Sequence, residues 1–225
     1  MLKPFFSFYG SKWRVAPKYP TPKYNTIIEP FAGSAGYSIR YSSSNIVLYD
    51  IDEKVYGVWE YLIKSSPMEI RKLPTKFLHI DELNIPQEAK WLIGFWLNTG
   101  SSKPCKSPSA WMRQGINPTS FWGEKIRERI ATQVDKIKHW KVINRSYREV
   151  SNERATWFID APYIGRAGCG YKHKIYDYGK LAEWCLSRLG QVIVCEQEGA
   201  TWLPFRPFYT IKSTLGKSSE VIWEN

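Results

Sequence analysis

The chain has 225 residues, of which 43% are hydrophobic. This size fits one large domain or a domain with an insertion, and the apolar fraction is large enough for a sizeable core. No apolar run approaches the length that spans a bilayer, and the sequence after Met1 turns polar too soon for a secretory signal. We therefore expect a soluble, cytoplasmic protein that does not associate with a membrane.

The charge of the chain favours a polyanionic partner. Lysine and arginine exceed aspartate and glutamate by 32 − 21 = 11. Residues 101–150 contribute 11 basic and 4 acidic residues to this balance, and Trp111, Phe121, Trp122, Trp140 and Tyr147 lie among them. A concentrated basic and aromatic segment is typical of nucleic-acid binding. The four cysteines and three histidines show no metal-ligand spacing, so no metal site is expected.

The first elements in chain order form a β-α-β unit of the nucleotide-binding kind. Residues 26–28 are a predicted strand, residues 29–36 a glycine turn followed by a short helix, and residues 46–49 the next strand, which ends at Asp50. Apolar residues at helical spacing then predict a helix across residues 55–62.

The middle of the chain has a different character. Residues 61–140 are interrupted by prolines and show no strand alternation. Ile126, Ile130, Val134 and Ile137 outline one helix whose other faces are basic. We interpret this segment as a mostly helical insertion into a single α/β domain formed by residues 1–60 and 141–225.

The α/β pattern returns after the insertion. The predicted elements are strands at 141–144, 156–160 and 191–195, a helix at 178–189, and a closing antiparallel pair at 208–211 and 220–223. The expected fold class is α/β, a Rossmann-like sheet with helices on both faces.

The four residues Asp160, Ala161, Pro162 and Tyr163 follow the apolar strand 156–159 directly. The carboxyl end of a strand is the usual ligand position in an open α/β sheet. The Asp160 carboxylate and the Ala161 carbonyl can accept hydrogen bonds from an amino group, and the Tyr163 ring can stack on a flat base. We expect Asp160 to be ionised at neutral pH, since the ordinary pKa of aspartate is about 3.9.

Two further motifs point to a nucleotide-like ligand. Gly33 and Gly36 allow close backbone approach in the predicted turn, and Asp50 lies where an acidic residue typically binds ribose hydroxyls. A tight turn that is only structural remains the alternative. The segment 5–12 combines aromatic residues with a Gly-Ser step and Lys12, although an aromatic edge strand followed by a turn would explain it too.

Together these motifs resemble, in their order, the Dam-like (alpha-group) DNA adenine N6-methyltransferases over nearly the whole chain. That resemblance implies a class I methyltransferase fold and S-adenosylmethionine as the cofactor. Two departures are Ser11, where the family usually has a second glycine, and Ala161, which replaces the first proline of Asp-Pro-Pro-Tyr. The residues that the resemblance assigns to cofactor binding are Tyr9, Gly10, Ser11, Lys12, Glu29, Pro30, Phe31, Gly33, Ser34, Ala35, Asp50, Ile51, Ser146, Tyr147 and Asp160.

The resemblance also implies a reaction: methyl transfer to the N6 amino group of adenine in a base flipped out of double-stranded DNA. The catalytic residues would be Asp160, Ala161, Pro162 and Tyr163. Residues 61–140 would be the target-recognition region. The glycines and basic residues of the loop 164–174 predict a mobile basic flap over the flipped nucleotide, with a plain surface loop as the alternative. We expect a monomer or weak dimer in a bacterial or phage-infected cell. The predicted DNA-binding residues are Lys103, Lys106, Arg113, Arg166, Lys172 and Lys174.

Other functions stay open at this point. The amino group of cytosine or of an RNA base fits the same hydrogen-bonding logic. Ala161 also allows a lapsed enzyme that only binds DNA. A dehydrogenase is disfavoured because the chain lacks a complete GxGxxG motif. The carboxylates of Glu196 and Glu198 follow a predicted strand and are interpreted as surface groups, with a position at the border of the pocket as the alternative.

Overall fold

The computed structural model describes residues 1–115, 120–213 and 216–225, without the side chains of 166–167 and 211–218. The strands are β1 (Thr26–Glu29), β2 (Asn45–Tyr49), β3 (Lys141–Ile143), β4 (Ala155–Ile159), β5 (Gly190–Gln197), β6 (Arg206–Ser213) and β7 (Gly216–Glu224). The α-helices are α1 (Glu53–Lys64), α2 (Pro67–Arg71), α3 (Gln87–Leu97), α4 (Ala110–Arg113), α5 (Glu124–Ala131) and α6 (Tyr178–Leu186). Short 3-10 turns occupy Ala16–Lys18, Ser38–Tyr41, Ile80–Glu82, Val134–Ile137, Tyr147–Glu149 and Gly165–Gly170.

The strands form one mixed sheet in the order β3-β2-β1-β4-β5-β7-β6. The first five are parallel, and β7 is antiparallel to both β5 and β6. The strand order reverses direction between β1 and β4, which makes the carboxyl ends of these two strands the topological switch point. The order and the antiparallel β7 are those of a class I methyltransferase sheet, so the predicted fold class is confirmed.

Apolar side chains cover both faces of the sheet. All five residues of β4 are buried, as expected for a parallel strand with helices on each side. Phe158 faces one core, which includes Trp59 of α1 and Phe95 of α3. Trp157 faces the other core, which includes Leu181 of α6. The described residues contain no helix that is long and apolar enough to cross a membrane.

The described part of residues 61–140 is helical and joins the first core. Helix α3 packs on α1, and α2 packs on α5. The amino-terminal segment lies between these helices and the sheet: Phe5 and Phe6 are fully buried against Trp59. This segment is therefore part of the core, and the alternative of an aromatic edge strand is wrong.

Three local predictions need correction. The helix expected through Val134 and Ile137 stops at Ala131, because the backbone leaves the helical conformation at Gln133, with φ −120°, and Val134–Ile137 form a separate 3-10 turn. The helix expected to reach residue 189 ends at Leu186, shortly before Gly190 with φ 104°. The closing pair, β6 and β7, is longer than predicted.

Candidate functional site

Two cavities lie at the switch point, on either side of the segment 10–12. The first, here called the turn cavity, has a volume of about 260 Å³ and is bordered by the glycine turn. The second, here called the tyrosine cavity, has a volume of about 750 Å³ and is bordered by Tyr163 and Glu220. Lys12 lines both cavities, whereas Asp160 lines the turn cavity. The two spaces thus meet at the end of β4.

The turn cavity gathers residues from seven separate parts of the chain. Ala35 is not among them: it is fully buried and has a φ of 49°, so it shapes the turn. The predicted cofactor residues that line the turn cavity are Tyr9, Gly10, Ser11, Lys12, Glu29, Pro30, Phe31, Gly33, Ser34, Asp50, Ile51, Ser146, Tyr147 and Asp160.

Asp50 is half-buried at the end of β2. Its Oδ2 accepts a hydrogen bond from Gly33 N at 3.0 Å, and its Oδ1 accepts one from Asp52 N at 2.9 Å. Burial raises the pKa of Asp50 to about 6, and these two backbone hydrogen bonds partly oppose the shift. The carboxylate is therefore held rigidly, and it titrates closer to neutrality than an ordinary aspartate.

The backbone of the glycine turn approaches its neighbours closely. Gly33 has φ 45°, a region that favours glycine, and its carbonyl accepts a hydrogen bond from Trp59 Nε1 at 2.8 Å. A Cβ on Gly36 would lie 2.5 Å from Trp13 N. The hydroxyl of Ser34 donates to Ser11 Oγ at 2.8 Å, so the serine in place of a glycine joins the amino-terminal motif to the turn.

Glu29 is a buried acid behind the same turn. Its Oε1 accepts a hydrogen bond from Ser38 N at 2.8 Å, which anchors the 3-10 turn that follows the glycines. Burial raises the pKa of Glu29 to about 8, although the hydrogen bond from Ser38 favours the charged form. Glu29 is therefore mostly protonated at neutral pH.

Aromatic rings form the far wall of the turn cavity. The rings of Phe31 and Tyr147 lie 5.2 Å apart at an angle of 34°. Ser146 fixes the backbone there through a capping box with Glu149. Ile51 stays 49% exposed beside these rings, so a flat apolar ligand would cover it.

The end of β4 carries a compact ionic cluster. Lys12 Nζ lies 2.9 Å from Asp160 Oδ1 and 3.7 Å from Glu220 Oε1. It also donates to Gly10 O at 2.9 Å and lies 4.7 Å from the centre of the Tyr163 ring. We call Lys12, Asp160 and Glu220 the ionic cluster.

Burial acts on each charge of this cluster. Burial opposes the charge of Lys12, but Asp160 and Glu220 hold the pKa of its ammonium above the ordinary value. Burial raises the pKa of Asp160, and Lys12 counteracts that rise. The expectation of an ordinary aspartate pKa is therefore wrong, because Asp160 is enclosed, and the neighbouring Lys12 ammonium favours its charged form.

The segment after Tyr163 folds back over residues 160–163. Burial raises the pKa of Glu196, whose carboxylate accepts hydrogen bonds from Ile164 N at 3.1 Å and from Trp202 Nε1 at 3.1 Å. Glu196 is 1% exposed, so its interpretation as a surface group is wrong. Any Cβ on Gly168 would overlap the carbonyl of Tyr163, which requires glycine at this point of the segment.

The segment also contacts both the amino terminus and the insertion. Tyr171 Oη donates to Tyr9 O at 3.3 Å, and the two rings lie 5.4 Å apart. Ser102 Oγ donates to Gly170 O, and Tyr9 N donates to Ser101 O at 3.1 Å. Three regions that are distant in sequence thus form one rim around the two cavities.

The predicted DNA-binding residues divide between two places. Lys103, Lys106 and Arg113 are exposed on the insertion; Lys106 pairs with Asp81 at 2.8 Å. Lys172 and Lys174 line the turn cavity. The side chain of Arg166 lies outside what the structure describes.

Sequence reasoning missed several residues of the site. Glu220 completes the ionic cluster from β7, and Tyr19 Oη donates to its Oε2 at 2.7 Å. Arg145, Arg148 and His173 line the turn cavity. No sequence motif includes Glu220 or Tyr19. Arg145 and Arg148 directly flank the predicted cofactor residues 146–147, and this position in the sequence was a signal that could have identified both arginines.

Comparisons with known proteins bear on the family of the chain. Residues 8–89 match the model of the D12 class N6 adenine-specific DNA methyltransferases. This range contains the amino-terminal motif, the glycine turn and Asp50, and it ends before Asp160. No curated protein matches the chain significantly in sequence.

Solved structures give only distant likenesses. The yhhF protein of Escherichia coli, provisionally named a methyltransferase, is 9% identical with a TM-score of 0.38, and the alignment covers 89% of this chain and 75% of that protein. A Pyrococcus horikoshii protein, provisionally named a transferase, is 8% identical with a TM-score of 0.40, covering 95% of this chain and 63% of that protein. Similarities with TM-scores this low do not support a fold assignment. The fold is assigned from the strand order of the sheet.

The family match and the motif order agree. The matched range contains about half of the residues that line the turn cavity. Over residues 8–89 the chain is thus similar to the D12 class N6 adenine-specific DNA methyltransferases, in agreement with the resemblance that the motif order indicates.

Proposed function

We propose that the protein is an S-adenosylmethionine-dependent DNA methyltransferase that modifies the N6 amino group of adenine in a flipped-out base. One observation carries the proposal: Asp160 and Tyr163 stand at the switch point, where the turn cavity and the tyrosine cavity meet. A methyl donor in one cavity and an acceptor base in the other would face each other there.

The residues of the turn cavity fit the proposed cofactor. Each Asp50 oxygen accepts one backbone hydrogen bond and keeps a lone pair for a ribose hydroxyl. Phe31, Tyr147 and Ile51 offer the apolar surface that an adenine ring requires. When bound, S-adenosylmethionine supplies an electrophilic methyl group on a sulfonium.

The chain's own residues would prepare the acceptor. The lone pair of an aromatic amine is delocalised into its ring, which makes it a weak nucleophile. Hydrogen bonds from the amine to Asp160 and to the Ala161 carbonyl would draw its nitrogen towards tetrahedral geometry. The Tyr163 ring would stack on the base. The rate would then come from orientation and electrostatic preorganisation.

Ala161 retains the backbone carbonyl that the proposed chemistry requires as a hydrogen-bond acceptor. The replaced proline would contribute rigidity, whereas the hydrogen-bond acceptor is the backbone carbonyl, which alanine retains. Ala161 is 5% exposed, and Tyr178 Oη donates to the Pro162 carbonyl at 2.7 Å. Packing and this hydrogen bond hold the motif in place of the missing ring.

The proposed target is double-stranded DNA. A base inside a duplex cannot reach the end of β4, so it must be extruded into the tyrosine cavity. Lys3, Arg14 and Arg129 line that cavity and can meet the phosphates beside the flipped base. We propose residues 61–140 as the target-recognition region, with Lys103, Lys106 and Arg113 on its exposed surface.

Transfer of a labelled methyl group tests the proposal. The protein is incubated with methyl-labelled S-adenosylmethionine and unmodified duplex DNA or RNA, in parallel with Asp160→Asn and with Glu153→Gln at an exposed position outside residues 61–140. We expect label in DNA from the native protein and the Glu153 variant, and a loss of about 100-fold or more for Asp160→Asn. Label that appears equally with Asp160→Asn contradicts the proposed role of this carboxylate.

A further inference from the structure

The Asp160 carboxylate is already occupied by a cation. Its Oδ1 lies 2.9 Å from Lys12 Nζ, and both side chains are largely buried. In the proposed reaction the acceptor nitrogen gains positive charge while it is hydrogen-bonded to Asp160. An ammonium at contact distance from the same carboxylate opposes that charge, because the interaction between charges is strong in a poorly solvated site. The reaction is therefore favoured when Lys12 moves away from Asp160.

Lys12 cannot move without another anion. It is 5% exposed, and a buried ammonium without a partner is strongly destabilising. Among the described residues, the structure gives Lys12 two carboxylate partners, Asp160 and Glu220. Glu220 Oε1 is 3.7 Å from Lys12 Nζ, so a small side-chain shift brings the two into direct contact.

Hydrogen bonds hold both the side chain and the backbone of Glu220 in position. Its Oε2 accepts a hydrogen bond from Tyr19 Oη at 2.7 Å, and Tyr163 Oη lies 3.4 Å from its Oε1. The backbone of Glu220 pairs with Gln197 on β5 and with Tyr209 on β6. One carboxylate oxygen is therefore fixed by a phenol, while the other faces Lys12 and the ring of the catalytic motif.

The members of the ionic cluster line different cavities. Asp160 lines the turn cavity, Glu220 lines the tyrosine cavity, and Lys12 lines both. We propose that Glu220 is a positioning residue that takes over the Lys12 ammonium when the acceptor amine binds Asp160. This inference rests on the proposed function. It assigns to β7 a part in the reaction that the motifs of the sequence do not contain.

Unfolding in urea tests, without any methyl transfer, whether Glu220 can take over the Lys12 ammonium from Asp160. Glu220→Gln is made in the native protein and in Asp160→Asn, where Lys12 has Glu220 as its remaining carboxylate. We expect the urea midpoint to fall at least about twice as far in the Asp160→Asn background. The control is Glu224→Gln, on the same strand, which pairs with the exposed Lys23 and should cost the same in both backgrounds.

Equal midpoint losses for Glu220→Gln in the two backgrounds overturn the inference. A double variant that does not fold, when both single variants fold, counts as the larger loss. If Asp160→Asn alone does not fold, the decision passes to the kinetic experiment.

Single-turnover methyl transfer provides that experiment. We expect Glu220→Gln to slow transfer by about tenfold or more when Lys12 is present and by less than about twofold in Lys12→Met, with little change in cofactor affinity. Equal losses in the two backgrounds indicate a purely structural Glu220 and overturn the inference. If the native protein transfers no methyl group, the proposed function fails, and the urea experiment alone decides whether Glu220 receives Lys12.

Discussion

Individual side chains of the turn cavity combine a structural and a binding role. The Asp50 carboxylate accepts hydrogen bonds from two backbone N–H groups and also lines the turn cavity. Glu29 is buried behind the turn and anchors Ser38. Both acids have raised pKa values because burial disfavours their charged forms, and each shift leads to a measurable pH dependence.

Asp50 should control the affinity for S-adenosylmethionine. Only the ionised carboxylate accepts hydrogen bonds from two ribose hydroxyls, and the pKa of Asp50 is raised to about 6. Affinity should therefore weaken as the pH falls through about 6. Loss of a charged hydrogen bond predicts that Asp50→Ala weakens binding by about 10- to 100-fold in calorimetry. The exposed Asp135→Ala serves as the control, and an unchanged affinity in Asp50→Ala contradicts the assignment.

Glu29 should make the protein less stable at alkaline pH. Its pKa in the folded protein is about 8, against an ordinary value of 4.5, so the folded state binds more protons between these two values. Stability is then lost as the pH rises through this window. Glu29→Gln should remove the dependence and exceed the native protein by a few kcal/mol above about pH 8.

The measurement for Glu29 is the free energy of unfolding in urea across this pH range. Glu153→Gln, at an exposed position, provides the matched control and should follow the native curve. Parallel pH curves for the native protein and Glu29→Gln would show that Glu29 is not a buried acid in solution.

At the scale of elements, the strands and the motifs at their ends were predictable from sequence, and the interruptions were not. The apolar run before Asp160 gives β4, and the glycine turn with Asp50 gives one wall of the turn cavity. The break after Ala131 lies at Gln133, whose side chain exchanges two hydrogen bonds with the backbone of Lys3, 130 residues away. The spacing of apolar residues within one segment cannot reveal a contact with a segment that is distant in sequence.

Glu220 was missed for the same kind of reason. It reaches the site because β7 inserts between β5 and β6, and this brings it close to Lys12 near the opposite end of the chain. A strand pairing of this kind is set by the whole sheet. The identity of Glu220 as a cluster member therefore required the three-dimensional arrangement.

The glycine turn should tolerate no side chain at Gly36. A Cβ there would lie 2.5 Å from Trp13 N and 2.9 Å from Lys12 C, both backbone atoms. We expect Gly36→Ala to destabilise the protein by about 2 kcal/mol or more, because the amino-terminal segment must shift. Gly123→Ala is the matched control, since no neighbouring atom lies within 4 Å of its Cβ position.

Urea unfolding of the two glycine variants gives the comparison. A Gly36→Ala protein as stable as Gly123→Ala would mean that the turn and the segment 12–13 are not packed against each other as described.

At the scale of the whole molecule, the charge of +11 should dominate DNA affinity. Each phosphate contact releases counterions, so affinity should fall steeply with salt, by about 100-fold or more between roughly 50 and 200 mM. The measurement is a binding titration with fluorescent duplex DNA at several salt concentrations. A salt dependence close to zero contradicts DNA as the partner of the basic surface.

Nucleoside mass spectrometry tests the central claim most directly. Unmodified duplex DNA is incubated with S-adenosylmethionine and either the native protein or Asp160→Ala, then digested to nucleosides. The account predicts N6-methyldeoxyadenosine with the native protein and none above background with Asp160→Ala. N4-methyldeoxycytidine would contradict the proposed acceptor, and the absence of any methylated nucleoside from DNA that the protein binds would contradict the proposed enzyme.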